Sequence, residues 1–178
     1  ILWNMVYVEG GTANLGDNNN YPVDVASFFI NRYEVSQDEW YVIMGENPSN
    51  QHRRNYPVDQ VNWFNAQRFT KKLSQLSGLP FRLPFEAEWE YAARGGVKTK
   101  NFIYAGSNNA EQVAWFREKY YNTYVSKETG TKKPNELGLY DMSGNVYEWC
   151  MDWYDRKVPF TGNIAPVISE KDTHKVLR

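Results

Sequence analysis

Hydrophobic and polar positions change rhythm along this chain, and each change marks an element. Met5 to Val8 alternate and are rich in β-formers, which predicts a strand, and Gly10-Gly11 then predicts a turn. A second extended stretch is expected from Val23 to Tyr33, with Phe28, Phe29 and Ile30 as its apolar centre. Ser36-Gln37-Asp38-Glu39 reads as a capping box, in which the Ser hydroxyl accepts from the Glu39 backbone and the Glu39 carboxylate reaches back. It opens a short helix carrying Trp40, Ile43 and Met44, ended by Gly45. Asn47-Pro48 and Tyr56-Pro57 punctuate a loop. Asn62 then caps the most regular helix, where Ala66, Phe69, Leu73 and Leu76 recur at spacings of three and four before Gly78 stops it. After Arg82-Leu83-Pro84 a third helix is expected from about Phe85 to Arg94, closed by Gly95-Gly96.

From Asn101 onward the helical rhythm disappears. Ser107-Asn108-Asn109, Gly130, Asn135 and Gly144-Asn145 break the remainder into short strands and long turns. Strand-rich, helical, then loop-rich order predicts an α+β class rather than a parallel α/β sheet. At 178 residues the chain suits one domain with a sizeable core. Its 7 Trp and 13 Tyr favour irregular, hydrogen-bonded loops, because each brings apolar surface and one polar atom that wants a partner.

Charge excludes more than it suggests. The formal net charge is −1, and the basic clusters His52-Arg53-Arg54 and Lys127 with Lys132-Lys133 are short and sit among turn formers. No nucleic-acid partner is expected. No apolar run reaches the roughly 18–20 residues of a membrane span, so none is expected. Cys150 is the single cysteine, which rules out an intrachain disulfide. Following Trp149 directly, it reads as a buried, inert thiol.

Six segments together resemble the formylglycine-generating enzyme, or sulfatase-modifying factor, family. They are Met5-Val6-Tyr7-Val8-Glu9-Gly10-Gly11-Thr12, Arg32-Tyr33-Glu34-Val35-Ser36, Pro57-Val58-Asp59-Gln60-Val61-Asn62-Trp63, Arg82-Leu83-Pro84, Glu86-Ala87-Glu88-Trp89-Glu90-Tyr91-Ala92-Ala93-Arg94-Gly95-Gly96 and Gly138-Leu139-Tyr140-Asp141-Met142-Ser143-Gly144-Asn145-Val146-Tyr147-Glu148-Trp149-Cys150. Any one is weak; six in the family's order over roughly residues 5 to 155 are not. The resemblance implies a variant of the C-type lectin fold with little regular secondary structure. Two departures are local. Phe85 stands where the family usually has a helix-capping Thr, a loss worth about 0.5–2 kcal/mol, and Tyr147 stands where it usually has Trp.

The third departure bears on function. The resemblance implies an oxidase that binds copper through two cysteines in a C-terminal stretch usually opening with Arg-Gly-Gly-Ser. On that pattern the stretch would follow Val176-Leu177-Arg178, so the expectation is a single domain over 1–178 without it. A bis-thiolate copper(I) site needs two soft ligands, and copper is not expected for this chain alone. The expected function is a non-catalytic binding or scaffold domain for a protein, peptide or glycan ligand, with a place in a larger assembly and an extracytoplasmic location suggested by relatives. The alternative is a copper-dependent oxidase that converts a substrate cysteine to formylglycine, if a cysteine pair lies outside these residues.

Asp141 to Glu148 is the best site candidate. Asp141 and Glu148 supply hard carboxylate oxygens, and Gly144-Asn145 permits a tight loop that aims the carbonyls of Gly144 and Val146 inward. Ca²⁺ takes 6–8 oxygens, so these with waters suffice; the same residues also serve merely to cap turns. The resemblance implies a structural Ca²⁺ on Asp141, Gly144, Val146 and Glu148. A second family calcium site falls on Val113-Ala114-Trp115 and is expected to be missing. His52 and His174 lack companions at metal-ligand spacing and read as surface residues. Trp115, Phe116, Tyr120, Tyr121 and Tyr124 read equally as a ligand groove or as loop anchors.

Overall fold

The alternating N-terminal residues build one long hairpin. In the computed structural model, which describes residues 4–16, 21–116, 125–154 and 174–178, β1 (Met5–Val8) and β2 (Gly11–Leu15) form one arm. β3 (Tyr21–Val25) and β4 (Phe28–Asn31) return antiparallel to it. Val8 pairs with Phe28 and Gly11 with Val25, so both pairings keep one register across the gap between them. At that gap a Cβ on Gly10 would stand 2.5 Å from the Val25 carbonyl oxygen. Gly10-Gly11 therefore does not turn the chain, as the sequence suggested; glycine lets two backbones pass closely. The stretch expected over Val23–Tyr33 is likewise two strands, parted by Ala26 and Ser27, whose Oγ accepts from the Gly10 N–H at 3.0 Å.

The helices form where the caps predicted them. At α1 (Gln37–Met44) the Ser36 Oγ accepts from the Glu39 N–H at 3.3 Å, and the Glu39 carboxylate accepts from the Ser36 N–H at 3.0 Å. At α2 (Trp63–Ser77) the Asn62 Oδ1 accepts from the Asn65 N–H at 2.9 Å. Gly45 and Gly78, both at positive φ, end the two. Trp40 stacks on Phe69 at 4.9 Å between centroids, and with Leu73 they make one buried cluster. Leu76 leaves the expected stripe and is 70% exposed. The main core joins Val8, Leu15, Val23 and Val25 of the hairpin to Tyr91 and Ala92 of α3 (Glu86–Ala93) and to Leu139 and Met142.

α3 solves its missing cap at long range. Phe85 has no acceptor, yet the Glu86 N–H donates to Asp152 Oδ2 at 2.7 Å, and Glu88 accepts from the Phe85 N–H at 2.8 Å. Arg82 donates twice to Glu88, at 2.7 Å each, and lies 4.6 Å from the Phe85 ring centroid. The aromatic ring thus supports the arginine that holds the helix's first turn. Replacing Asp152 by alanine is expected to cost about 1–2 kcal/mol, lowering the melting temperature by roughly 3–6 °C, whereas asparagine should recover most of it. A melt by circular dichroism decides this, and an unchanged Asp152→Ala midpoint removes the capping role.

Among the described residues beyond Asn101, the single turn α4 (Ala110–Val113) was not revealed by the sequence, being too short to leave a period. β5 (Trp149–Trp153) then pairs antiparallel with β6 (Lys175–Leu177). Among the described residues no helix is long and apolar enough to cross a membrane.

Candidate functional site

The loop from Asp141 to Glu148 is held in place by backbone shape and by one distant carboxylate. Asp141, Gly144 and Asn145 all have positive φ. Gly144 is required: a Cβ there would come within 2.2 Å of the Trp115 carbonyl oxygen, to which the Asn145 N–H donates at 2.8 Å. Glu34, 7% exposed, receives the Asn145 Nδ2 at 2.6 Å on one oxygen and the Val146 N–H at 3.1 Å on the other. Asn145 Oδ1 accepts from the Lys127 N–H at 2.8 Å. At the loop's end, Glu148 and Arg178 exchange two backbone hydrogen bonds, of 2.7 and 3.0 Å. Asn145, chosen from the sequence as a turn former, is in fact the hub of the loop.

Three carboxylates, Glu34, Asp141 and Glu148, lie near enough to influence one another electrostatically. Burial raises Glu34 well above the ordinary range, with further increments from Glu148 and Asp141. Burial likewise raises Asp141, although its Oδ2 accepts from the Gly130 N–H at 2.7 Å. Burial pushes Glu148 up to about 7, opposed by the neighbouring Trp89 indole and reinforced by Asp141. Among the described residues, no basic side chain is among the causes of these three shifts. Asp141 Oδ1 is buried without a hydrogen-bond partner. Buried, mutually repelling carboxylates with an orphaned oxygen are what a hard cation relieves, so the residues present fit Ca²⁺. Among the described residues no three His, Cys, Asp or Glu side chains cluster at metal-binding separation, so such a site would draw on backbone carbonyls as well.

The remaining candidates separate clearly. Cys150 is fully buried, and burial pushes its thiol far up, with Glu148, Glu86 and Asp152 adding to the effect. Its carbonyl accepts from the Trp63 indole at 2.9 Å, an anchoring role. His52 and His174 are exposed and belong to no metal cluster among the described residues. Trp115 donates its indole N–H to Thr131 Oγ1 at 3.0 Å beneath Lys132, 3.9 Å from its ring centroid, and so anchors a loop. Phe116 is half exposed, and Tyr120, Tyr121 and Tyr124 lie outside the described residues.

An apolar hollow was not foreseen. It measures about 1130 Å³ and runs from β4 past α1 and α2 to the Val146–Trp149 segment and Leu177. Its walls are mainly apolar, from Phe28 and Ile30 through Trp40, Phe69 and Leu73 to Phe81. Neither Trp115 nor Phe116 borders it. The signal that would have pointed to it is pairing, since β4 joins only β1 among the described residues.

Similarity to known proteins agrees with this architecture. The family model described as the sulfatase-modifying factor enzyme 1-like domain matches residues 2–178. A protein called Chaperone protein LppX, from Paenibacillus barcinonensis, is 35% identical over 84% of this chain and 71% of its own. A formylglycine-generating enzyme of Streptomyces coelicolor is 34% identical over 57% of this chain, but that match spans only 34% of the enzyme's length. A match to the serine/threonine-protein kinase pkn1 of Chlamydia pneumoniae, 31% identical, spans only 28% of the kinase. Among solved structures, CarF superposes with a TM-score of 0.74 at 26% identity, over 88% of this chain and 83% of its own. Variable protein 1 of Treponema denticola superposes with a TM-score of 0.71 at 30% identity, over 85% and 73%. The fold is the α+β, C-type-lectin-like fold of formylglycine-generating enzymes, and the chain belongs to the sulfatase-modifying factor enzyme 1-like domain family.

Proposed function

We propose that these residues form a non-catalytic binding domain whose long loop is braced by a structural Ca²⁺. The observation that carries the first half is Cys150. It is the chain's one thiol, fully buried, and its surroundings favour the protonated form over the thiolate. Copper(I) held between two thiolates cannot be assembled from it. The open apolar hollow beside β4 supports a binding role, and so does the similarity to a protein called a chaperone. For the second half, Asp141 and Glu148 would supply carboxylate oxygens, and Gly144 and Val146 backbone carbonyls. Calcium there would neutralise charges that now oppose one another.

The alternative, copper-dependent oxidation of a substrate cysteine to formylglycine, is favoured by the similarity to formylglycine-generating enzymes. It requires two thiolates that these residues do not contain. One set of measurements separates the readings. The native chain should leave Ellman's reagent unreacted and release its thiol only in denaturant. It should not retain copper(I) against a chelator, nor convert a cysteine-containing peptide under oxygen. Stoichiometric copper retention with peptide oxidation would sink the non-catalytic reading.

A further inference from the structure

We propose that Glu34 is a positioning residue for the ion loop: it does not itself ligate calcium, yet it fixes the peptide that sets the directions of the Gly144 and Val146 carbonyls. This rests on the calcium reading above and names what holds that site in shape. Glu34 lies between β4 and α1, far from the loop in sequence. Both of its oxygens are spent on the loop, one on Asn145 Nδ2 at 2.6 Å and the other on the Val146 N–H at 3.1 Å. Asp141 differs, because its Oδ1 is buried without a hydrogen-bond partner and so is left for an ion.

Peptide geometry turns these contacts into carbonyl directions. In a trans peptide the C=O points opposite to the N–H of the same planar unit, and the units here are trans. The Asn145 N–H donates to the Trp115 carbonyl at 2.8 Å, so the Gly144 carbonyl points away from Trp115. The Val146 N–H donates to Glu34, so the Asn145 carbonyl points away from Glu34. The middle peptide of the run is thereby locked, and with it the relation between the Gly144 carbonyl before it and the Val146 carbonyl after it. Asn145 holds this run at a φ of 61°, a region that residues other than glycine use sparingly. Glu34 grips both its side chain and the next N–H, which keeps it there. A carboxyl suits the task in either charge state, since each oxygen keeps a lone pair for an N–H. Glutamine does not, because its amide nitrogen would set a donor against a donor.

The probe is terbium(III) on the whole chain, a luminescent stand-in for calcium whose lifetimes in H₂O and D₂O count the waters on the metal. Glu34→Gln should weaken calcium binding, read by competition with terbium, roughly 10–100-fold. It should also raise the count of metal-bound waters by about one, as solvent replaces a misaimed carbonyl. Asn145→Gly leaves the positive φ accessible and removes only the side chain that Glu34 grips, so the water count should rise there too. Unchanged affinity in Glu34→Gln overturns the proposal, and so does weaker binding at an unchanged water count, which marks lost charge alone. A count that rises in Glu34→Gln but not in Asn145→Gly overturns it as well, because Glu34 is then itself a ligand. Should Glu34→Gln fail to fold, Asn145→Gly and the Val146 amide of the metal-stripped wild-type chain decide. Hydrogen exchange at that amide should be slowed on the order of a hundredfold, and free exchange would remove the brace. A wild-type chain that binds neither terbium nor calcium would instead remove the calcium reading itself, and this proposal with it.

Discussion

Replacing Asn135 by alanine should lower the melting temperature by roughly 6–12 °C, corresponding to about 3 kcal/mol. The side chain is 6% exposed and closes four hydrogen bonds at once. Its Nδ2 donates to the carbonyls of Ala92 and Ala93 at 2.8 and 3.2 Å, where α3 runs out of internal partners. Its Oδ1 accepts from the N–H groups of Leu137 and Leu139 at 3.0 and 3.1 Å. Alanine leaves these buried groups with fewer partners or none, and no water path reaches Leu139, which is 1% exposed. Aspartate should not rescue the variant, since it keeps the acceptor but loses the donor and buries a charge. The damage should also reach the candidate site, because Leu139 leads through Tyr140 directly into Asp141. Calorimetry reads the stability, and a drop below about 1 kcal/mol would mean that the end of α3 is held some other way.

What the sequence made legible was local. The Ser36 capping box and the Asn62 cap are recognised within four residues, and both form as expected. The hairpin is half legible. Its alternating arms are plain, but Gly10-Gly11 reads the same for a turn as for a close passage, and only the Val25 carbonyl on the facing arm distinguishes them. Contacts that cross the chain leave no pattern at all. Asp152 replaces the cap that Phe85 lacks from 66 residues away, and Glu34 grips Asn145 across 111 residues. Both acidic residues lie in ordinary surroundings by sequence, and no spacing rule joins them to their partners. In the same way, Asp141 and Glu148 could be selected as oxygen donors, while the third carboxylate that raises their repulsion could not. The hollow was invisible for another reason: Trp40, Phe69 and Leu73 read as core, and a wall has the same apolar period as an interior.

Without calcium, the chain should melt at its highest temperature near pH 5 and lose stability as pH rises toward 8. A carboxyl raised by burial holds its proton more tightly when folded than when unfolded. Between the unfolded value and the folded one, the native state therefore binds more protons, and stability falls with rising pH. For Glu148 that window runs from the ordinary 4.5 to about 7, a contribution on the order of 2–3 kcal/mol. Glu34 and Asp141 act in the same direction, and so does Glu86, raised to about 6 chiefly by burial, with Asp152 and Glu90 adding to it and Arg178 opposing it. Calcium must reverse the slope at its own ligands, because it binds the ionised carboxylates and stabilises the native state by mass action. The calcium-induced rise in melting temperature should thus be largest near pH 8 and nearly vanish near pH 5. Glu148→Gln should flatten the metal-free profile and abolish the calcium response, whereas Glu86→Gln should flatten it slightly and leave that response whole. Scanning calorimetry of chelator-stripped protein at several pH values tests each arm. If the wild-type chain shows no calcium shift at pH 8, the loop holds no such ion. If the stripped protein grows more stable from pH 5 to 8, the repulsion among Glu34, Asp141 and Glu148 is relieved by some other means.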